Sequence, residues 1–238
     1  MSVFKFKEFD IVQQHSAMKV GTDSVLLGSL LKAASPNKVL DIGTGTGLLA
    51  LMMAQRFVDA LIDAVEIDDQ AFEEAAQNIT QSKWNTRIKV FHQSLQNFTN
   101  QSTGEYDVIV SNPPYYEVEK HYSIGAKNRS HARHTATLSF DELLQNIQQL
   151  LTIEGKCWMV LPKTEGALVI SKAVMLGLFC VYQIDVYPNT SKPCNRVIFC
   201  LSKTQHKTEK DSFFIKDEQG QYSQQYKEVT MSFLLWNK

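Results

Sequence analysis

The sequence has little cysteine, and what it has is poorly placed for metal. Cys157, Cys180, Cys194 and Cys200 form no C-x-x-C pair, and no histidine stands near them at zinc spacing. They read as reduced cysteines packed in strands, so neither a structural disulfide nor a metal is expected. Long hydrophobic runs are missing as well: no segment reaches the length needed to cross a bilayer. The first stretch, "MSVFKFKEFDIVQQHS", is charged and lacks the apolar centre of a secretion signal. Net charge is close to nil, at a formal −1. Whole-chain charge therefore neither demands nor excludes a polyanionic partner, and any basic patch has to be local. These absences lead to the expectation of a cytoplasmic protein with no membrane partner and no obligate protein partner evident.

What is present suits a globular domain. The 238 residues are 44% hydrophobic and 21% charged, without internal repeat or low-complexity linker. Strand-like and helix-like segments alternate. "KVLDI" (38–42), "LIDAVEI" (61–67), "RIKVF" (87–91), "YDVIV" (106–110) and "KCWMVLP" (156–162) read as strands. Helical spacing marks 47–57, 68–80, 140–151 and about 164–176, with Asp68 placed to cap the second of these. "FCVYQIDVYP" and "NRVIFCLSK" read as two further strands, antiparallel to each other. Such alternation implies a doubly wound, mostly parallel α/β sheet with helices on both faces. Ligands in such sheets bind beyond the carboxyl ends of the strands, where the strand order reverses.

Two strand-end loops carry unusual chemistry. "LDIGTGTGLL" sets Gly43, Gly45 and Gly47 at every second position, around Thr44. Leu48 stands where the dinucleotide fingerprint needs its last glycine, and no Gly-Lys-Ser/Thr follows, so neither a pyrophosphate cradle nor a P-loop is indicated. Glu66 ends the next strand, about twenty residues on, where an acid can accept hydrogen bonds from ribose hydroxyls. Together these point to a ligand that bears ribose without pyrophosphate. Here the sequence resembles the class I S-adenosylmethionine-dependent methyltransferases. The resemblance implies a Rossmann-like, mostly parallel seven-stranded sheet with an antiparallel strand near the C-terminal end, and S-adenosylmethionine as cofactor. It also implies that Asp41 and the glycines lie near the methionine moiety, Glu66 on the ribose and Ile67 against the adenine. Ser94, with Leu95 beside it, falls where that family usually has an acid reading the adenine amino group.

The second loop is "SNPPYY" (111–116). Two prolines cannot donate backbone hydrogen bonds, and they hold Asn112 in extended geometry. The Asn112 side-chain oxygen and the Pro113 carbonyl are thus acceptors with no competing donors. They suit an exocyclic amino group, whose two N–H groups they can hold in line with a methyl donor. Pro114 completes the stiff turn, and Tyr115 offers a face for a flipped base. The motif resembles the Asn-Pro-Pro-Tyr of amino-methyltransferases that act on adenine, guanine or glutamine amides.

A narrower resemblance covers most of the chain. "FKEFDIVQQHSAMKVGTDSVLLGSLL", "LDIGTGTGLLALMMAQR", "AVEID", "VSNPPYY", "RSHARHTATLSFDELL" and "VLP" are similar, in order, to the tRNA(1)(Val) adenine-N(6)-methyltransferases, which modify the adenosine just 3′ of the anticodon. In that family the N-terminal segment covers the cofactor, which implies a contact from Thr22. Thr22 and Asp23 also precede an apolar helical run, and one of them is expected to cap it. "KHYSIGAKNRSHARH" (120–134) carries Lys120, Lys127, Arg129 and Arg133 and no acid, which suits phosphate contacts with tRNA. His121, His131 and His134 read as RNA-facing or loop-packing residues. The expected organisation is one methyltransferase domain over 1–238: a cofactor-covering segment (1–35), a Rossmann-like core (36–203) and a C-terminal extension (204–238). A protein glutamine methyltransferase, an rRNA guanine amino-methyltransferase and a non-catalytic cofactor-binding RNA chaperone remain alternatives.

Overall fold

The computed structural model describes residues 2–14, 19–101, 106–114 and 138–236. A short antiparallel hairpin opens the chain, β1 (Val3–Lys5) and β2 (Asp10–Val12). There follow α1 (Thr22–Leu30), β3 (Lys38–Ile42), α2 (Leu48–Arg56), β4 (Leu61–Glu66), α3 (Asp69–Thr80), β5 (Ile88–His92), α4 (Leu95–Gln101) and β6 (Tyr106–Ser111). Then come α5 (Phe140–Leu150), β7 (Leu151–Pro162), α6 (Lys163–Ala173), β8 (Phe179–Tyr187), β9 (Arg196–Ser202), β10 (Glu209–Phe214) and α7 (Gln224–Thr230).

One sheet organises the fold, in the order β10-β8-β9-β7-β6-β3-β4-β5. Strands β7, β6, β3, β4 and β5 run parallel, and β9 lies antiparallel between β7 and β8. This is the mostly parallel sheet that the alternation predicts. An eighth strand, β10, extends it beyond the expected seven, pairing parallel with β8. Its sequence, EKDSFF, is mostly exposed and polar, as befits an edge strand, and for that reason it carries no clear strand signal.

The central strands read as unbroken apolar runs because both of their faces are covered. In β3, Val39 packs into the layer built by α1, α2, α3 and α7, while its neighbour Leu40 packs into the layer built by α4, α5 and α6. The same alternation sends Trp158 of β7 to the first layer and Cys157 to the second. Cys157 and Cys200 are buried in strands, Cys180 is half-buried in β8, and Cys194 precedes β9; all four are free thiols.

Local chemistry explains the helix starts. The Asp68 side chain accepts from Ala71 N at 2.9 Å and caps α3, as its place in the sequence predicts. Helix α5 begins in a reciprocal Ser139–Glu142 capping box, an arrangement whose serine alone is worth about 1 kcal/mol. Helix α1 departs from expectation. Its N-cap is Gly21, and neither Thr22 nor Asp23 caps it. Asp23 instead ion-pairs with Arg196 Nε at 2.9 Å, a partner 173 residues away that local sequence could not reveal. Helix α4 carries few apolar residues and escapes a periodicity reading. It forms because Ser94 Oγ accepts from Asn97 N and because Leu95 and Phe98 are buried.

Candidate active site

Strand β3 lies inside the sheet, third from the β5 edge, with β4 on one side and β6 on the other. The chain order reverses here, so the loops leaving β3 and β6 flank the cleft where such sheets take ligands. Ile42 and Ser111 are register partners at the ends of these strands, and Ser111 Oγ donates to Ile42 O at 2.9 Å. The glycine loop and the Asn-Pro-Pro loop therefore leave the sheet side by side.

In the glycine loop, Gly43, Gly45 and Gly47 all have positive φ, at 67°, 58° and 83°. Above Gly43 and Gly45 a side chain would meet nothing within 4 Å among the described residues, so the backbone is open there. Gly47 lies against α3, where a Cβ would stand 3.3 Å from Ile79 Cδ1. The loop is held from below and from the side. Asp41, wholly buried, accepts from Thr44 Oγ1 at 2.5 Å and from Ala50 N at 3.0 Å. Burial pushes its carboxyl up to about 7, against the pull of those two donors. Its other oxygen, Oδ1, has no partner among the described residues. Glu66, 8% exposed, accepts from Gly45 N at 2.8 Å through Oε2, and from Ile67 N and Asp68 N through Oε1. It thus joins the end of β4 to the crest of the loop.

The remaining sequence-derived cofactor residues fall into two groups. Ile67 is 46% exposed at the mouth of the cleft, an apolar surface free to receive a ring. Thr22, Ser94 and Leu95 have places in the fold: Thr22 opens α1, which packs against α7, Ser94 caps α4, and the Leu95 side chain is buried in the core.

In the second loop, Pro113 is buried and Pro114 exposed. Asn112 is half-buried, and its Nδ2 donates to Ser24 Oγ of α1 at 2.9 Å. Its Oδ1 is buried and, among the described residues, accepts from nothing. A buried amide oxygen without a donor costs about 1–3 kcal/mol, so a native one calls for an explanation. Tyr115, Lys120, Lys127, Arg129 and Arg133 lie outside the described residues, as do His121, His131 and His134.

Sequence reasoning missed the residues that assemble these loops. Ser24 meets Asn112 from 88 residues away. Asn78 of α3 exchanges hydrogen bonds with the backbone of Val12 and also donates to Thr46 O, tying the N-terminal hairpin to the glycine loop. Glu74 accepts from Gln14 N in the same seam. The Arg56 guanidinium donates to Gly28 O, Ser29 O and Leu31 O, closing the carboxyl end of α1. The spacing of Asn78 from Ala71 and Ala75, which puts it on the buried face of α3, is a signal of this seam that the sequence carries. Among the described residues, no three His, Cys, Asp or Glu side chains gather as a metal site, and no helix is long and apolar enough to cross a membrane.

The model of the methyltransferase small-domain family matches residues 11–180. A tRNA1(Val) (adenine(37)-N6)-methyltransferase of Histophilus somni is 39% identical over 98% of this chain and 97% of its own. One from Vibrio parahaemolyticus is 41% identical over 98% and 95%. The chain belongs to the tRNA1(Val) (adenine(37)-N6)-methyltransferase family. Among solved structures, a predicted O-methyltransferase from Agrobacterium tumefaciens superposes with a TM-score of 0.69 at 12% identity, covering 91% of this chain and 99% of its own. That likeness shows the class I methyltransferase fold. Membership in the family implies methyl transfer that depends on S-adenosylmethionine. The cleft fits such a group: it offers an open glycine crest, an acid at the end of β4, an exposed isoleucine and a buried, unpartnered acceptor.

Proposed function

We propose that the protein methylates the N6 amino group of the adenosine just 3′ of the anticodon in tRNA1(Val), and that it works in the cytoplasm, where its substrate is. The observation that carries this reading is the buried, unpartnered Asn112 Oδ1, held beside the glycine loop at the end of β6. An exocyclic adenine nitrogen is a weak nucleophile because its lone pair is shared with the ring. Asn112 Oδ1 accepts one of its N–H groups, and the Pro113 carbonyl, free of any proline N–H competitor, accepts the other. These contacts fix the nitrogen in position and favour the positive charge that develops on it. The chain need supply no strong base, because a methylated, cationic nitrogen readily loses its proton to water.

When bound, S-adenosylmethionine supplies a methyl group on a positively charged sulfur. Asp41, Gly43, Thr44, Gly45 and Gly47 would hold its methionine end, Glu66 its ribose and Ile67 its adenine. The uncommitted lone pairs of Glu66 Oε2 and the unpaired Asp41 Oδ1 suit donors on such a ligand. Thr22, Ser94 and Leu95 serve the same site by shaping its walls. Tyr115 would stack on the extruded base, and Lys120, Lys127, Arg129 and Arg133 would contact RNA phosphates.

The direct test is incubation with tRNA lacking the modification, followed by nucleoside mass spectrometry. N6-methyladenosine at that position is expected. Labelling of a glutamine-bearing protein with none in tRNA would overturn the reading. Replacing Lys127, Arg129 and Arg133 together should flatten the steep salt dependence of tRNA binding, and an unchanged slope would remove the phosphate contacts from the proposal.

A further inference from the structure

We propose that Ser24 is a positioning residue for methyl transfer, anchoring the Asn112 amide so that Oδ1 is aimed at the incoming amino group. The inference rests on the function proposed above. Asn112 lies on a loop whose prolines fix the backbone, but they leave the amide free to turn about its terminal bond. Ser24 removes that freedom: its Oγ accepts from Nδ2 at 2.9 Å. With one end of the amide spent on Ser24, the other is the buried, unpartnered Oδ1.

Ser24 can act as an anchor because α1 is moored along its length. The helix packs against α7, and Asp23 ion-pairs with Arg196 at the start of β9. β9 is antiparallel to β7, and Arg196 is the register partner of Pro162, so its start lies at the carboxyl end of β7, on the cleft side of the sheet. Gly28 lets α1 approach α2 closely, since a Cβ there would stand 2.6 Å from the Met52 side chain. Arg56 holds the last carbonyls. The hydroxyl is thus presented from a rigid element, which is what reliable aiming of a catalytic group requires.

The test is steady-state kinetics on unmodified tRNA with Ser24→Ala, Ser24→Thr, Asn112→Ala and the Ser24→Ala/Asn112→Ala double variant, with calorimetry of S-adenosylmethionine binding. Ser24→Ala should lower kcat on the order of tenfold or more, the scale of a misaimed contact, while cofactor affinity and KM for tRNA stay within twofold or so of wild type. Ser24→Thr, which keeps the hydroxyl, should recover most of the rate. In the Asn112→Ala background the Ser24 change should cost nothing more, because Ser24 acts only through that amide. An unchanged kcat for Ser24→Ala overturns the proposal. So does a Ser24→Thr enzyme as slow as Ser24→Ala, or a full further loss in the double variant. Wild-type protein that leaves unmodified tRNA unmethylated would instead overturn the functional reading itself.

Discussion

The two loops that flank the cleft leave adjacent strands level in register, yet they are built in opposite ways. In the glycine loop most polar groups are already satisfied: Gly43 N and Thr44 N donate to Val65 O, Gly45 N to Glu66, and Thr44 Oγ1 to Asp41. In the Asn-Pro-Pro loop the amide of Asn112 is satisfied at one end and bare at the other. A loop that holds a ligand through many modest contacts can be closed upon itself and still be open to the ligand. A loop that stabilises a developing charge needs an acceptor kept waiting, dry and aimed. The contrast supports the proposal that the first loop binds the cofactor and the second carries the chemistry.

Asn112→Ala should break the comparison most sharply. It removes the waiting acceptor, and turnover should fall by about a hundredfold or more, on the scale of deleting one oxyanion-hole donor. Cofactor affinity, measured by calorimetry, should stay close to wild type. A variant with near-normal turnover would end the acceptor role. Glu66→Ala attacks the other loop. It deprives Gly45 N, Ile67 N and Asp68 N of their acceptor and removes the proposed ribose contact. Cofactor affinity should drop roughly ten- to hundredfold, since hydrogen bonds to a charged group are worth about 1.5–3 kcal/mol. Unchanged affinity would take Glu66 off the ribose.

The smallest effect sharpens the comparison from beneath the glycine loop. Asp41 titrates at about 7 in the folded protein because it is buried, well above its ordinary range. Between the ordinary carboxylate range and about 7, the folded chain keeps this proton while the unfolded chain has lost it. The contribution of Asp41 to stability is therefore complete at low pH and is lost as pH rises toward 7. Asp41→Asn cannot ionise, so its stability relative to wild type should improve progressively as pH rises through that window. Denaturant melts at a series of pH values measure the difference, and parallel pH profiles for the two proteins would show that the Asp41 charge carries no such linkage.

The strands around the cleft and the nature of both loops were legible in the sequence. Apolar runs bounded by glycine or proline leave few alternatives. The freedom of Gly43, Gly45 and Gly47 to take positive φ, and the missing donors of Pro113 and Pro114, follow from covalent structure wherever the chain goes. The capping of α3 by Asp68 is equally local, since donor and acceptor are three residues apart. Helix α1 shows where that reach ends: Asp23 looks like a cap until Arg196 arrives from β9.

By itself, then, the sequence determined an alternating α/β chain, its two chemically distinctive loops, and its place among the amino-methyltransferases, because these depend on backbone limits and on residues close together along the chain. Only the tertiary structure decided which groups complete the site. The meeting of Ser24 with Asn112, the bridge from Asn78 to Val12 and Thr46, and the eighth strand all depend on sheet order and helix packing, which join residues far apart in the chain. The raised carboxyl of Asp41 has the same origin: a protonation state is set by the layers that exclude water from the group, and those layers exist only once the chain has folded.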